Sequence, residues 1–190
     1  MEAVGPLYVR RREKMSAFHS DPFEYINLLD LDAIEDESNK IAECEYFLAL
    51  AESETDHQRF RWLISAFFGA AYSYFEMAAL KAHIGFTAPD TGEPVADLEA
   101  VSILRNYVAV VQDSKNPSYV KTAGKHPITK RLFELRRGNT HHFPLSIMAT
   151  GPSLPEDFQF GRMKDDGTPA LPFCRSALRL IQEIQAELRA

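Results

Sequence analysis

The residues best suited to chemistry lie in one short run, Arg136-Arg137-Gly138-Asn139-Thr140-His141-His142. An imidazole, with an unperturbed pKa of about 6.5, can take up or release a proton at neutral pH. A guanidinium stays charged, can hold two phosphate oxygens, and can stabilise the extra negative charge of a pentacovalent transition state. These residue types indicate phosphodiester chemistry. The candidate catalytic residues are Arg136, Arg137, His141 and His142.

A site of this kind requires the helix that carries the arginines to end before the histidines. Residues five apart on a continuous helix lie about 140° apart around its axis, so their side chains would diverge. Gly138 and Asn139 are residues that commonly end or cap a helix, and a break is expected there. Asn139 either caps backbone amides or contacts substrate, and Lys130 and Arg131 are the other candidate substrate-binding residues.

The same histidines make a poor metal site. His141 and His142 are adjacent, and in extended chain their side chains point to opposite faces. No Glu-x-x-His pair occurs on a predicted helix, and Gly124-Lys125 is followed by His126 rather than by the Ser or Thr of a phosphate-binding loop. We therefore expect neither a metal nor a nucleotide cofactor.

Charge is unevenly distributed along a chain whose formal net charge is -6. Residues 21 to 56 include twelve acids and one lysine, a balance of -11, whereas residues 121 to 137 include six bases and one acid, a balance of +5. The basic segment leads into the Arg/His run and is typical of an anion-binding face. Alternatively, the two segments lie near each other or are simply solvated.

The apolar residues recur mainly at helical spacing. They predict helices near 32 to 53, near 57 to 83 with Asp56 as a cap, from Leu98 to about Asp113, from Pro127 to Gly138, and from Pro172 to Arg189. A loop is predicted over Gly85 to Pro94, and a small β-hairpin near 145 to 165 with Phe158 and Phe160 on one face. The prediction is a mainly α fold: one helical-bundle domain spanning 1 to 190, with an irregular segment over 1 to 30.

The second predicted helix has apolar residues on more than one side. Its aromatic residues outside a single stripe suggest a face left for a second copy, and we expect a homodimer. These residues are Phe67, Phe68, Tyr72, Tyr74 and Phe75. Cys44 and Cys174 fall at apolar helix positions and are expected to be core residues without a disulfide. No stretch of 18 uncharged apolar residues occurs, so we expect a cytoplasmic protein that does not span a membrane.

Two stretches of the chain resemble the HEPN superfamily of compact helical domains. The segment from Glu45 to Phe67 resembles the paired helices of bacterial HEPN-like proteins. The segment from Leu135 to His142 fits the Arg-x4-His form of the family motif as Arg136 with His141 or Arg137 with His142, and the Arg-x5-His form as Arg136 with His142. Catalytic members usually have Asn, Asp or His after the arginine, a position occupied here by Arg137 or Gly138.

The resemblance implies one of two functions. The favoured one is a non-catalytic module that binds or regulates a partner, such as an antitoxin of the nucleotidyltransferase type. The alternative is a metal-independent endoribonuclease of the toxin or RNA-processing kind, in which two protomers join their motifs at a homodimer interface and a histidine assists attack of a 2′-hydroxyl on RNA. A third interpretation is an unrelated helical bundle with an ordinary surface turn at this run.

Overall fold

The computed structural model describes residues 37–83, 85–87, 94–95, 98–112, 120–141, 145–161 and 167–190. These residues fall within one compact unit of the chain, Asp36–Ala190, and the predicted irregular segment 1 to 30 lies outside them. The described helices are α1 (Glu37–Ala51), α2 (His57–His83), α3 (Leu98–Tyr107), α4 (Pro127–His141) and α5 (Ala170–Arg189). The described strands are β1 (Gly85–Thr87), β2 (Pro94–Val95), β3 (Val108–Gln112), β4 (Val120–Gly124), β5 (Ile147–Ala149), β6 (Phe158–Phe160) and β7 (Thr168–Pro169). The predicted mainly α fold is confirmed.

Helices α1 and α2 lie where the apolar spacing predicted helices, and they pack against each other as a helical hairpin. The inward stripe of α1 is buried at Ile41, Cys44, Leu48 and Ala51. The turn then ends at Asp56, whose side-chain Oδ1 accepts a hydrogen bond of 2.8 Å from the backbone N–H of Arg59. This bond satisfies one of the free amides at the start of α2, so the predicted cap is confirmed.

Helix α2 lies at the centre of the described part of the fold and contacts the other four helices found there. The aromatic residues that suggested a homodimer are all buried in the core of the chain itself: Phe67, Phe68, Tyr72, Tyr74 and Phe75. That reason for expecting a dimer was wrong. A helix surrounded by neighbours has several inward faces, and apolar character over more than one stripe then reflects the core.

The third predicted helix is shorter than its pattern indicated. Helix α3 ends at Tyr107, and the chain continues as strand β3, which pairs antiparallel with β4 with Val108 opposite Gly124. Valine at 108, 110 and 111 fits both a helical and an alternating pattern, and β-branched side chains favour the strand. A second short antiparallel pair, β1 and β2, occupies part of the predicted loop over Gly85 to Pro94.

The C-terminal region contains a three-stranded antiparallel sheet in the order β5-β6-β7, which confirms the predicted β excursion. Phe158 and Phe160 are fully buried on one face of β6, as expected. Phe158 lies against Phe60, with ring centroids 4.3 Å apart, and Phe160 lies 5.5 Å from Phe68. The sheet therefore covers one side of α2, and α5 follows it directly.

The prediction that both cysteines are core residues is confirmed. Cys44 and Cys174 are buried free thiols whose pKa values are raised by burial, as expected of core cysteines.

Among the described residues, one segment, His57–Ala82 of α2, is long and apolar enough to cross a membrane. The central helix of a soluble protein passes the same test, and 56% of the tested window in α2 is buried inside the protein.

Candidate functional site

Helix α4 carries most of the predicted site, and close backbone packing fixes where it begins. A Cβ atom at Gly124 would lie 2.1 Å from the backbone nitrogen of Lys130, so only glycine allows β4 to approach the helix this closely. His126 precedes the helix, and its Nδ1 accepts a hydrogen bond of 3.3 Å from the N–H of Ile128. Pro127 occupies the first helical position, as predicted.

The predicted helix end at Gly138 is wrong. Helix α4 continues through Gly138 and Asn139 to His141. A glycine inside a helix costs about 1 kcal/mol relative to alanine, which is not enough to end a helix whose other residues are well placed. Positions 136 and 141 therefore lie about 140° apart around the axis, the arrangement that a joint site has to avoid. The other predicted histidine, His142, lies outside the described residues.

Arg136 turns inward, toward α2. Its guanidinium carbon lies 3.8 Å from the centre of the Tyr72 ring, a cation–π contact on a half-buried arginine. Glu76, one turn further along α2, has a raised pKa because burial disfavours its charge, and the positive charge of Arg136 opposes that shift. Arg136 thus joins α4 to α2.

Tyr72 extends this connection to the β3–β4 hairpin. Its hydroxyl donates a hydrogen bond of 3.3 Å to the backbone oxygen of Thr122, and the hydroxyl of Thr122 is the same distance from it. Its ring also lies 5.8 Å from that of Phe133 on α4. The contact that holds Arg136 is therefore part of the packing between three elements.

Arg137 has the opposite environment, although it is the next residue. Arg137 and Lys130 are exposed, and with Glu134 they occupy positions that share the outer face of α4. Arg131 forms an ion pair of 3.4 Å with Glu134, three residues away. The predicted substrate-binding residues Lys130 and Arg131 thus lie about three turns from the end of the helix, and Asn139 lies within its last turn.

A cleft between the start of α4 and α5 was not predicted. It encloses about 250 Å³ and is lined by His126, Ser176, Arg179 and Glu183 among others. Nearby, the hydroxyl of Tyr107 donates a hydrogen bond of 2.6 Å to Glu187, which raises the pKa of the tyrosine. The sequence signal was the spacing of four between Arg179 and Glu183, which places both on one face of α5.

The structure offers no cluster suited to a metal ion within the ranges it describes. No three His, Cys, Asp or Glu side chains come together there. His57 is the first residue of α2, and its Nε2 lies 2.6 Å from the carbonyl oxygen of Ile147. That contact ties α2 to β5.

Three comparisons with known proteins found no relative of this chain. No protein-family model matches the chain, and neither a curated protein nor a solved structure matches it significantly.

Proposed function

We propose that this chain is a non-catalytic, HEPN-like helical module of the cytoplasm that binds or regulates a protein partner. The observation that carries the proposal is the inward packing of Arg136 on Tyr72. A catalytic arginine must reach a phosphate, whereas this guanidinium is half-buried between two helices and serves their packing. The uninterrupted α4 supports the same interpretation, because it separates positions 136 and 141.

The exposed outer face of α4 is the surface we assign to the partner. Lys130 and Arg137 project from it, and the segment from 121 to 137 has a formal charge of +5. Such a face suits an acidic surface on the partner, since opposite charges speed and orient association. A nucleotidyltransferase-type protein remains the partner class that the resemblance implies.

One observation favours the alternative, a metal-independent endoribonuclease. On the continuous α4, positions 137 and 141 are four apart, so they lie only about 40° apart around the axis. Arg137 is exposed and able to meet a phosphate. This arrangement supports an Arg137 and His141 pair, with RNA as substrate and a second protomer completing the site.

The deciding experiment is RNA cleavage by the purified full chain, with both structured and unstructured RNA. The matched control is the double variant His141→Ala/His142→Ala. We expect no cleavage above that of the double variant, because Arg136 is held in the fold. Metal-independent cleavage that the double variant loses would establish the endoribonuclease instead.

Binding is tested separately by titrating a purified nucleotidyltransferase-type protein from the same organism into this chain in a calorimeter. We expect Lys130→Glu/Arg137→Glu to weaken binding at least tenfold. Arg105→Glu, a charge reversal at an exposed position of α3, is the matched control and should leave binding unchanged. Absence of binding by the wild-type chain would count against this partner class.

A further inference from the structure

Helix α2 has an outward face that the core does not use. Six residues spaced by three or four form a strip along it: Trp62, Ala66, Gly69, Ser73, Met77 and Leu80. The side chains at its ends are exposed, Trp62 by 57% and Leu80 by 43%. In the middle, a Cβ atom at Gly69 would have no neighbour within 4 Å among the described residues outside its own stretch of the helix. Within the described part of the chain, the strip is exposed at its ends and partly exposed along its middle.

The composition of this strip is unusual for a surface. Exposed helix faces ordinarily carry charged residues, yet the sequence from Trp62 to Leu80 includes a single one, Glu76. Small residues occupy the middle of the strip, where they leave room for another backbone to approach. Large apolar residues occupy its ends, where they can pack around that backbone. A shallow apolar surface of this shape fits a helix.

The arrangement is also self-complementary. Reversing the strip about the midpoint between residues 69 and 70 exchanges Trp62 with Met77 and Ala66 with Ser73. A two-fold interface uses one surface on both subunits, so it requires this kind of symmetry. Two antiparallel copies of α2 would place Trp62 of each copy against Met77 of the other, with the small residues at the axis.

Charge supports the same pairing. Arg61 precedes Trp62 by one residue and Glu76 precedes Met77 by one, so both lie on the same flank of the strip. In an antiparallel pair related by a two-fold axis, the same flank of both strips lies on the same side of the interface. Residue 61 of one copy is then level with residue 78 of the other, so Arg61 and Glu76 are separated by about 3 Å along the helix axis. Both side chains are half-buried within one copy. The pairing thus joins opposite charges twice.

We propose that two copies of this chain associate through antiparallel packing of the Trp62–Leu80 strip. The contact is about 27 Å long and about one helix diameter, roughly 10 Å, across. Its area is therefore smaller than the roughly 800 Å² per partner of a standard interface. The dimer should therefore dissociate on dilution. The inference goes beyond the proposed function and is independent of it, because it rests on α2 and not on the end of α4.

The experiment measures the mass of the full chain by sedimentation from about 1 to about 100 µM, together with the emission of Trp62, the one tryptophan in the sequence. We expect the mass to rise from one copy to two, and the emission to shift to shorter wavelength as Trp62 is buried. Gly69→Leu fills the space at the axis, starting from a Cβ position that has no neighbour within 4 Å among the described residues outside its own stretch of the helix, and it should yield a folded monomer. Arg61→Glu should weaken association about tenfold.

Ala186→Leu, an exposed position on α5, is the matched control and should dimerise like the wild type. Circular dichroism checks that each variant is folded. Three results would overturn the proposal: a monomer at every concentration, a dimer that Gly69→Leu leaves unchanged, or a shift in Trp62 emission only when phosphatidylcholine vesicles are added to a monomer. The last result would assign the strip to a membrane surface. These three outcomes are independent of the RNA-cleavage assay, which tests the residues of α4.

Discussion

The middle of α2 and the last turns of α4 carry the residues from which the sequence predicted a dimer face and a catalytic site, and the two regions have different environments in the fold. Helix α2 contacts all four other described helices, and the aromatic residues in its middle are buried against these neighbours, whereas Trp62 near its start is exposed. Helix α4 packs against β4, α2 and α5, and its outer face is exposed. Consequently Arg136 belongs to the interior and Arg137 to the surface. Whether a face of a helix meets a neighbouring element decides whether the residues on that face are available for chemistry.

The largest effect expected from this comparison is at Phe68, in the middle of α2. Phe68 is fully buried, and its ring lies 5.5 Å from Phe160 and 6.2 Å from Phe173. We expect Phe68→Ala to lower the free energy of unfolding by about 3–5 kcal/mol, because it removes apolar burial and leaves a cavity. Urea denaturation measures the change, provided that the dependence on urea stays constant.

The control for Phe68 is Trp62, on the outward strip of the same helix. Trp62→Ala should change the free energy of unfolding by no more than about 0.5 kcal/mol, measured at dilutions where the chain is a monomer. Equal losses at Phe68 and Trp62 would contradict the division of α2 into a core side and an open side.

A smaller effect distinguishes the two arginines of α4. Arg136→Ala should cost about 1–2 kcal/mol in the free energy of unfolding, because the guanidinium loses its partly desolvated contact with Tyr72. Arg137→Ala should cost no more than about 0.5 kcal/mol, as expected of an exposed residue. Arg136→Lys keeps a cation near the ring and should lose less than Arg136→Ala. If the two alanine variants are equally stable, Arg136 has no structural role and the case against catalysis fails.

Sequence spacing was sufficient where a single period applied over many residues. Both ends of α2 and α5 and the end of α1 were predicted within two residues, because their apolar residues recur over three turns or more, whereas the predicted start of α1 near 32 lies outside the described residues. Spacing failed where the same residues fit both the helical and the strand period, as at Val108 and Val111. It also failed where a single glycine, Gly138, was taken as enough to end a helix. In both places the outcome depends on packing partners far away in the chain.

The candidate site was harder to predict than the fold for the same reason. The run from Arg136 to His142 was visible as a set of residue types, but its use depends on where each side chain points. Arg136 meets Tyr72, which lies 64 residues earlier in the sequence, and no local pattern relates the two. At Gly124, too, the role depends on a distant contact. Its sequence was compared with that of a phosphate-binding loop, but in the fold it is the point where β4 comes closest to α4.

The smallest expected effect is at Glu76, where α2 and the end of α4 meet. Burial raises the pKa of Glu76 above its ordinary value, and Arg136 lowers it in part. The folded chain therefore binds the proton more tightly than the unfolded chain, so stability is greatest below the unfolded pKa of about 4.3 and falls as the pH rises through the folded pKa. Glu76→Gln does not ionise. We expect its melting temperature to exceed that of the wild type by about 1–2 °C at pH 7 and to match it at pH 4.

Calorimetry on the monomer at both pH values measures this difference, and Glu134→Gln, on the exposed face of α4, controls for the change in net charge. In the Arg136→Ala background the gain at pH 7 should be larger, because the opposing positive charge is gone. A Glu76→Gln variant that is less stable than the wild type at pH 7 would mean that attraction to Arg136 outweighs burial. The contact between α2 and α4 would then be primarily electrostatic, and the interior position of Arg136 would depend on Glu76 as well as on Tyr72.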